Sequence, residues 1–255
     1  MIGAIIGDIV GSRFEFDNTN DFTFEFFTEE CAYTDDTICT IAVADAAMNG
    51  SSYGVTLHSW CRRYPEPMGS YGCSFADWID SNNPQPYNSF GNGSAMRVSA
   101  IGWLFDSLEQ VVNEAVKSAM PTHNHPQGIK GAVATASAVY IARTEGKTAM
   151  LDAIKSYYSQ WVEPRLGENT FNETCQGTMP IVFGIINKAT NFEEAIRYAI
   201  AVGGDSDTIG AIVGGIAEAI WGVPNHLQTV ALKYLPDEMV AIVKQYCDRI
   251  HNLRN

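Results

Sequence analysis

"GGDSDTIGAIVGG", residues 203–215, sets two acids two apart in a glycine turn and runs at once into an apolar, glycine-punctuated segment. One carboxylate or hydroxyl is enough to cap a helix N-terminus. Asp205 and Asp207 together exceed that need. A second stretch, "YTDDTICTIAVADAAM" at 33–48, repeats the grammar, with Thr34, Asp35 and Asp36 ahead of another apolar helix. Each motif alone is compatible with capping, which stabilises by about 0.5–2 kcal/mol. Taken together, four carboxylates at the starts of buried helices repel one another unless they are protonated or bridged by cations. The donors are hard oxygens with no cysteine beside them, which suits Mg²⁺, Mn²⁺ or Ca²⁺ rather than zinc. Spacing alone does not say whether the two helix starts converge.

The rest of the chain reads as helix. Apolar residues recur at i, i+3 and i+4 over 35–48, 108–119, 126–143, 148–161, 178–188, 192–201, 207–221 and 236–250. Asn49-Gly50 and Gly146 mark helix ends, Pro224 follows the last apolar run, and Asn191 caps the helix after it. Strand signal is confined to 21–27, "DFTFEFF", where alternating Phe22, Phe24 and Phe26 predict a short hairpin or an ordered loop. Residues 64–93, rich in Pro, Gly, Ser and Asn, read as one long irregular segment, and such segments are usually functional. "GAIIGDIVG" (3–11) and "GAIVGG" (210–215) share small residues every four, a spacing that lets helix backbones approach closely. With no strand–helix alternation and no linker, the expectation is a single all-α domain over 1–255.

Composition narrows the function. The chain has 255 residues, 46% of them hydrophobic, and a formal charge of −13. An acidic surface repels phosphate backbones and argues against bulk nucleic-acid binding. The apolar run 209–223 is short and holds Glu218, so no membrane span is expected. The N-terminus lacks a basic leader, and Asp8 interrupts its apolar run. Six cysteines without a CxxC pair read as reduced thiols and not as a disulfide framework or zinc site. A cytoplasmic protein is expected.

The blocks "GAIIGDIVGSRFE", "YTDDT", "GNGSAMRV", "THNHPQGIKGA" and "AIAVGGDSDTIGAIVGGIAEAIWG" resemble, in order, the signature blocks of the ADP-ribosylglycohydrolase family. The resemblance covers roughly 1–222. It implies a compact single-domain orthogonal helical bundle with a dinuclear Mg²⁺ or Mn²⁺ centre at helix N-termini. It implies Thr34, Asp35, Asp36, Asp205, Asp207 and Thr208 as metal ligands. Glu15 matches the family's acid beside the metals and, with Asp36, is a candidate catalytic residue. The implied substrate is ADP-ribose attached to an acceptor.

Three loops are candidates for the substrate groove. "YNSFGNGSAMR" (87–97) is a glycine turn entering a helix, where backbone N–H groups can hold phosphate oxygens. The resemblance makes Ser89, Phe90, Gly91 and Asn92 a diphosphate-binding loop. Arg97 reads equally as a phosphate partner or a buried structural ion pair. "PMGSYG" (67–72) offers Gly69, Tyr71 and Gly72 as lining residues; the acid that some family members carry next is here Cys73, a departure from the pattern of arginine-linked substrates. In "THNHPQG", His123 and His125 lack a third metal partner, and the resemblance puts His123 among the substrate-binding residues.

Two other chemistries fit part of the pattern. A two-metal phosphohydrolase could use the same oxygen ligands, and a non-catalytic, crystallin-like binder of ADP-ribose could retain them. Gly204-Asp205-Ser206 matches the start of a serine-esterase motif, but it follows a helix late in the chain, whereas such a motif belongs after a strand near an N-terminus.

Overall fold

Glycines on two distant helices decide how this molecule is put together. The structure is a computed structural model and describes residues 1–254. The helices are α1 (Ile2–Gly11), α2 (Asp35–Asn49), α3 (Tyr53–Arg63), α4 (Cys73–Asp80), α5 (Gly93–Met96), α6 (Ile101–Leu104), α7 (Leu108–Ala119), α8 (Pro126–Glu145), α9 (Lys147–Ile154), α10 (Cys175–Lys188), α11 (Phe192–Ala201), α12 (Ser206–Trp221), α13 (Asn225–Ala231) and α14 (Asp237–Arg254). Among the described residues the only β pairing is two isolated bridges, Thr34 with Met68 and Gly91 with Thr174. The all-α reading holds.

Helix α1 is buried along its whole length, and α12 is buried from Ser206 to Ala217. They run antiparallel with backbones in contact. A Cβ on Gly210 would stand 2.5 Å from the carbonyl oxygen of Gly7, and one on Gly11 would stand 2.6 Å from the Cα of Asp207. Added Cβ atoms on Gly3 and Gly214 would each overlap the other residue's carbonyl oxygen. The shared small-residue spacing is therefore one interface, seen from both sides. Its consequence is positional: the end of α1 lies beside the start of α12. Helices α2, α8 and α11 pack around this pair and close the core.

Local signals work as read at many ends. The Asn191 side chain accepts from Glu194 N (2.9 Å), and Gly50 ends α2 in the left-handed region at φ 63°. Three expectations need correction. The segment 64–93 is not irregular throughout: α4 lies inside it and buries Phe75, Trp78 and Ile79, an i, i+3, i+4 face hidden by the surrounding turn residues. The helix read over 148–161 stops at Ile154, because Tyr158 and Trp161 reach Phe183 of α10 from a turn, with ring centroids 5.9 and 6.3 Å away. The alternating Phe segment is an ordered loop without strand pairing. Its Phe24 and Phe26 are buried, and Arg197 donates to the carbonyls of Phe22 (3.0 Å) and Phe24 (2.9 Å) in place of a neighbouring strand. No helix among the described residues is long and apolar enough to cross a membrane.

Candidate active site

Two glycines in the left-handed region, Gly203 and Gly204, both at φ 85°, turn the chain from α11 into α12. Asn18 staples this turn: it accepts from Gly204 N (2.7 Å) and donates to Gly204 O (2.9 Å). Asp205 then stands at the head of α12, Asp207 in its first turn, and Glu15 just beyond α1. Carboxylate oxygens of Glu15, Asp205 and Asp207 lie within 4.8 Å of one another.

The second acid pair joins them through Asp8, which reads in the sequence only as a break in an apolar run. Its buried carboxylate accepts from Thr34 N (3.1 Å), Thr34 Oγ1 (2.7 Å), Thr37 N (3.1 Å) and Thr37 Oγ1. It thereby clamps the start of α2 onto α1. Thr34 Oγ1 in turn accepts from Asp36 N (3.2 Å), as an N-cap does. Thr208 Oγ1 donates to Asp36 Oδ2 (3.1 Å), tying the starts of α12 and α2 together. The two distant acid motifs do converge.

Charge in this corner is uncompensated. Burial, and then the charges of Asp8, Asp35 and Asp205, holds Asp36 well above the ordinary carboxylate range. Asp35 and Asp207 are raised in the same way, and Asp205 is raised by burial. Glu15 is pushed up to about 7, by burial first and then by Asp205, Asp8 and Glu173. Asp36 Oδ1 is buried and has no hydrogen-bond partner. Among the described residues, Arg97 is the one Lys or Arg that lines the cavity, and it is not paired with any of these acids. An orphaned carboxylate oxygen amid several destabilised carboxylates fits an oxygen-liganded cation.

A cavity of about 620 Å³ opens from the acids toward the loops read as substrate-binding, a size suited to a nucleotide-like ligand. Gly69, Tyr71, Gly72, Ser89, Phe90, Gly91, Asn92 and His123 all line it. Gly69, at φ 78°, passes so close to Glu15 that an added Cβ would overlap Oε2. The Tyr71 hydroxyl donates to Tyr64 O (2.7 Å), so its ring is what the cavity sees. Phe16 and Phe171, stacked with centroids 6.0 Å apart, form an exposed rim beside Glu15.

In the 87–97 loop, several N–H groups serve the protein itself. The N–H groups of Ser89, Gly91 and Asn92 are already engaged, by Thr122 O (3.2 Å), Ser89 Oγ (3.1 Å) and Glu173 O (2.7 Å). The Asn92 side chain donates to Asp205 Oδ2 (2.7 Å) and Thr178 Oγ1 (3.1 Å), holding an acid in place. Arg97 is buried and makes no ion pair among the described residues. It donates to Ser118 O (3.0 Å) and Thr122 Oγ1 (2.9 Å). His125 caps α8 by accepting from Gln127 N (3.1 Å).

A family model described as ADP-ribosylglycohydrolase matches residues 1–255. Among curated proteins, ADP-ribosylhydrolase ARH3 of Homo sapiens is 29% identical over 56% of this chain and 48% of its own length. The chain thus spans about half the length of the first curated relatives it matches. The uncharacterised protein YegU of Escherichia coli is 24% identical over 75% of this chain and 72% of its own. A solved structure titled "ADP-ribosylglycohydrolase-related protein complex" superposes with a TM-score of 0.71 at 21% identity, covering 94% of both chains, and shows the same fold. With the acid motifs, the glycine-packed helices and the profile match in agreement from end to end, the chain belongs to the ADP-ribosylglycohydrolase family.

Proposed function

We propose that the protein is a metal-dependent hydrolase that cleaves the glycosidic bond between ADP-ribose and an acceptor and releases intact ADP-ribose. The observation that carries this reading is the meeting of Glu15, Asp205 and Asp207 with the Asp36–Thr208 pair at one end of a nucleotide-sized cavity.

Thr34, Asp35, Asp36, Asp205, Asp207 and Thr208 would hold two divalent cations, Mg²⁺ or Mn²⁺. Such ions supply Lewis-acid polarisation of hydroxyls and water. Thr34 donates its hydroxyl proton to Asp8 and accepts from Asp36 N, which leaves one oxygen lone pair for a ligand role. Asn92 fixes Asp205 in the same sense. Glu15, at the mouth of the acids and braced by Gly69, exchanges protons. As the bond from C1″ to the acceptor breaks through an oxocarbenium-like state, water adds to C1″ and gives a proton to Glu15. The acceptor takes up a proton from solvent as it leaves, and Glu15 returns its proton to solvent. With burial and the neighbouring acids raising it to about 7, Glu15 is about half protonated at neutral pH; a neighbouring cation would lower its pKa and make it a base.

The test is a panel of ADP-ribosylated substrates with Mg²⁺, Mn²⁺ or EDTA, with products separated by mass. ADP-ribose released in a divalent-dependent way, and lost in Asp36→Ala and Asp207→Ala, supports the proposal. AMP with ribose phosphate as products would instead indicate a phosphohydrolase, and binding without turnover a non-catalytic member.

A further inference from the structure

On the function proposed above the groove accepts an anion, and several donors of its glycine loop are already committed. The backbone N–H groups of Asn88, Ser89, Gly91 and Asn92 are engaged within the protein. Arg97 is the one Lys or Arg among the described residues that line the cavity, and it is 1% exposed. Its guanidinium is turned toward the last turn of α7, where Ser118 O accepts one N–H and the helix C-terminus offsets the charge. A second N–H goes to Thr122 Oγ1 at 2.9 Å, and that oxygen lies 2.7 Å from His123 Nδ1.

The direction of each bond follows from counting protons. Arg97 can only donate, so one lone pair of Thr122 Oγ1 is taken. The hydroxyl retains one proton and one lone pair. Its remaining hydrogen-bond partner among the described residues is Nδ1 of His123. Were Nδ1 protonated, Thr122 Oγ1 would accept twice and its own buried proton would have nowhere to go. The guanidinium charge two bonds away also favours an unprotonated nitrogen facing it. Burial and that same charge hold His123 well below the ordinary imidazole pKa, so the ring is neutral.

We propose that Arg97 and Thr122 are positioning residues that lock His123 as the tautomer protonated on Nε2, converting a cation buried behind the groove wall into a fixed neutral donor within it. Nε2 faces the glycine turn: a Cβ on Gly93 would lie 3.2 Å from it, and one on Gly91 3.5 Å. Both glycines and His123 line the cavity. The ligand class is a diphosphate oxygen, held by an N–H donor whose state does not change near neutral pH. Naming a diphosphate rests on the function proposed above; the tautomer does not.

Nitrogen-15 histidine spectra decide the tautomer without any substrate, with the His123 signal assigned by its loss in His123→Asn. The expected wild-type spectrum shows a protonated Nε2 and a bare Nδ1, and Thr122→Ser, which keeps the hydroxyl, reproduces it. Thr122→Val keeps the shape, loses that bias, and weakens ADP-ribose binding about tenfold, the worth of one hydrogen bond to a charged group. In turnover the same change raises KM and leaves kcat within about twofold, as expected for lost uniform binding. A wild-type ring protonated on Nδ1 overturns the proposal by itself, even if Thr122→Val does not fold. So does a Thr122→Val protein with an unchanged tautomer and affinity. If wild-type protein releases no ADP-ribose from any substrate, the proposed function fails while the spectra still decide the tautomer.

Discussion

Gly7 and Gly210 touch backbone to backbone: a Cβ on Gly210 would sit 2.5 Å from the carbonyl oxygen of Gly7. This contact sets the spacing of α1 and α12, and with it the distance from Glu15 to Asp205 and Asp207. Gly210→Ala must force the helices apart. The expected result is a loss of about 1–3 kcal/mol of stability, the usual cost of overpacking, together with weakened divalent binding. Denaturant melts and calorimetric Mg²⁺ titration measure both; wild-type behaviour in the two would show that the contact is dispensable.

Asp8 collects four hydrogen bonds from the turn that carries Thr34, Asp35 and Asp36. Asp8→Asn replaces one accepting oxygen by a donor facing donors. It should cost about 1–3 kcal/mol for the groups left unpaired. Because it loosens the head of α2, it should also reduce Mn²⁺ affinity, read by paramagnetic relaxation, with no change at the Arg97 end of the groove.

Gly69→Ala tests Glu15 without touching an acid. The residue is in the left-handed region, and its Cβ would overlap Glu15 Oε2. Since Glu15 is partly exposed and can swing away, the fold should survive while kcat falls. The expected drop is about 10²-fold or more, the scale of a displaced acid–base group, measured at saturating substrate in a protein that still folds but loses about 1–2 kcal/mol to the left-handed backbone.

Stability of the EDTA-treated protein should fall as pH rises from about 4 to about 7. Asp8 is raised to about 6 and Glu15 to about 7, while Asp35, Asp36, Asp205 and Asp207 are raised as well. Native protein therefore binds more protons than unfolded protein across that window, and stability declines with pH. A divalent ion should reverse the trend, adding more stability at pH 8 than at pH 5, because it binds the ionised form. Thermal melts with Mg²⁺ or EDTA across this range check the sign; a metal-free protein that grows more stable toward neutrality would refute the uncompensated-acid picture.

What the sequence determined is what acts within a few residues of itself. Apolar spacing, the Asn191 cap, Gly50 and the surplus acids at the two helix starts are legible because helix geometry links i to i+3 and i+4. The same locality explains the errors. Alpha-helical spacing in Tyr158 and Trp161 looks continuous although the chain has already turned, and turn residues mask the short α4. Only the tertiary structure decided which elements meet. Gly7 faces Gly210, Asp8 clamps a turn 26 to 29 residues away, Asn92 holds Asp205, and Arg97 answers to Thr122 rather than to an acid. A glycine, a carboxylate or a guanidinium carries its chemistry in the sequence but not its partner. That is fixed by the packing of helices far apart along the chain.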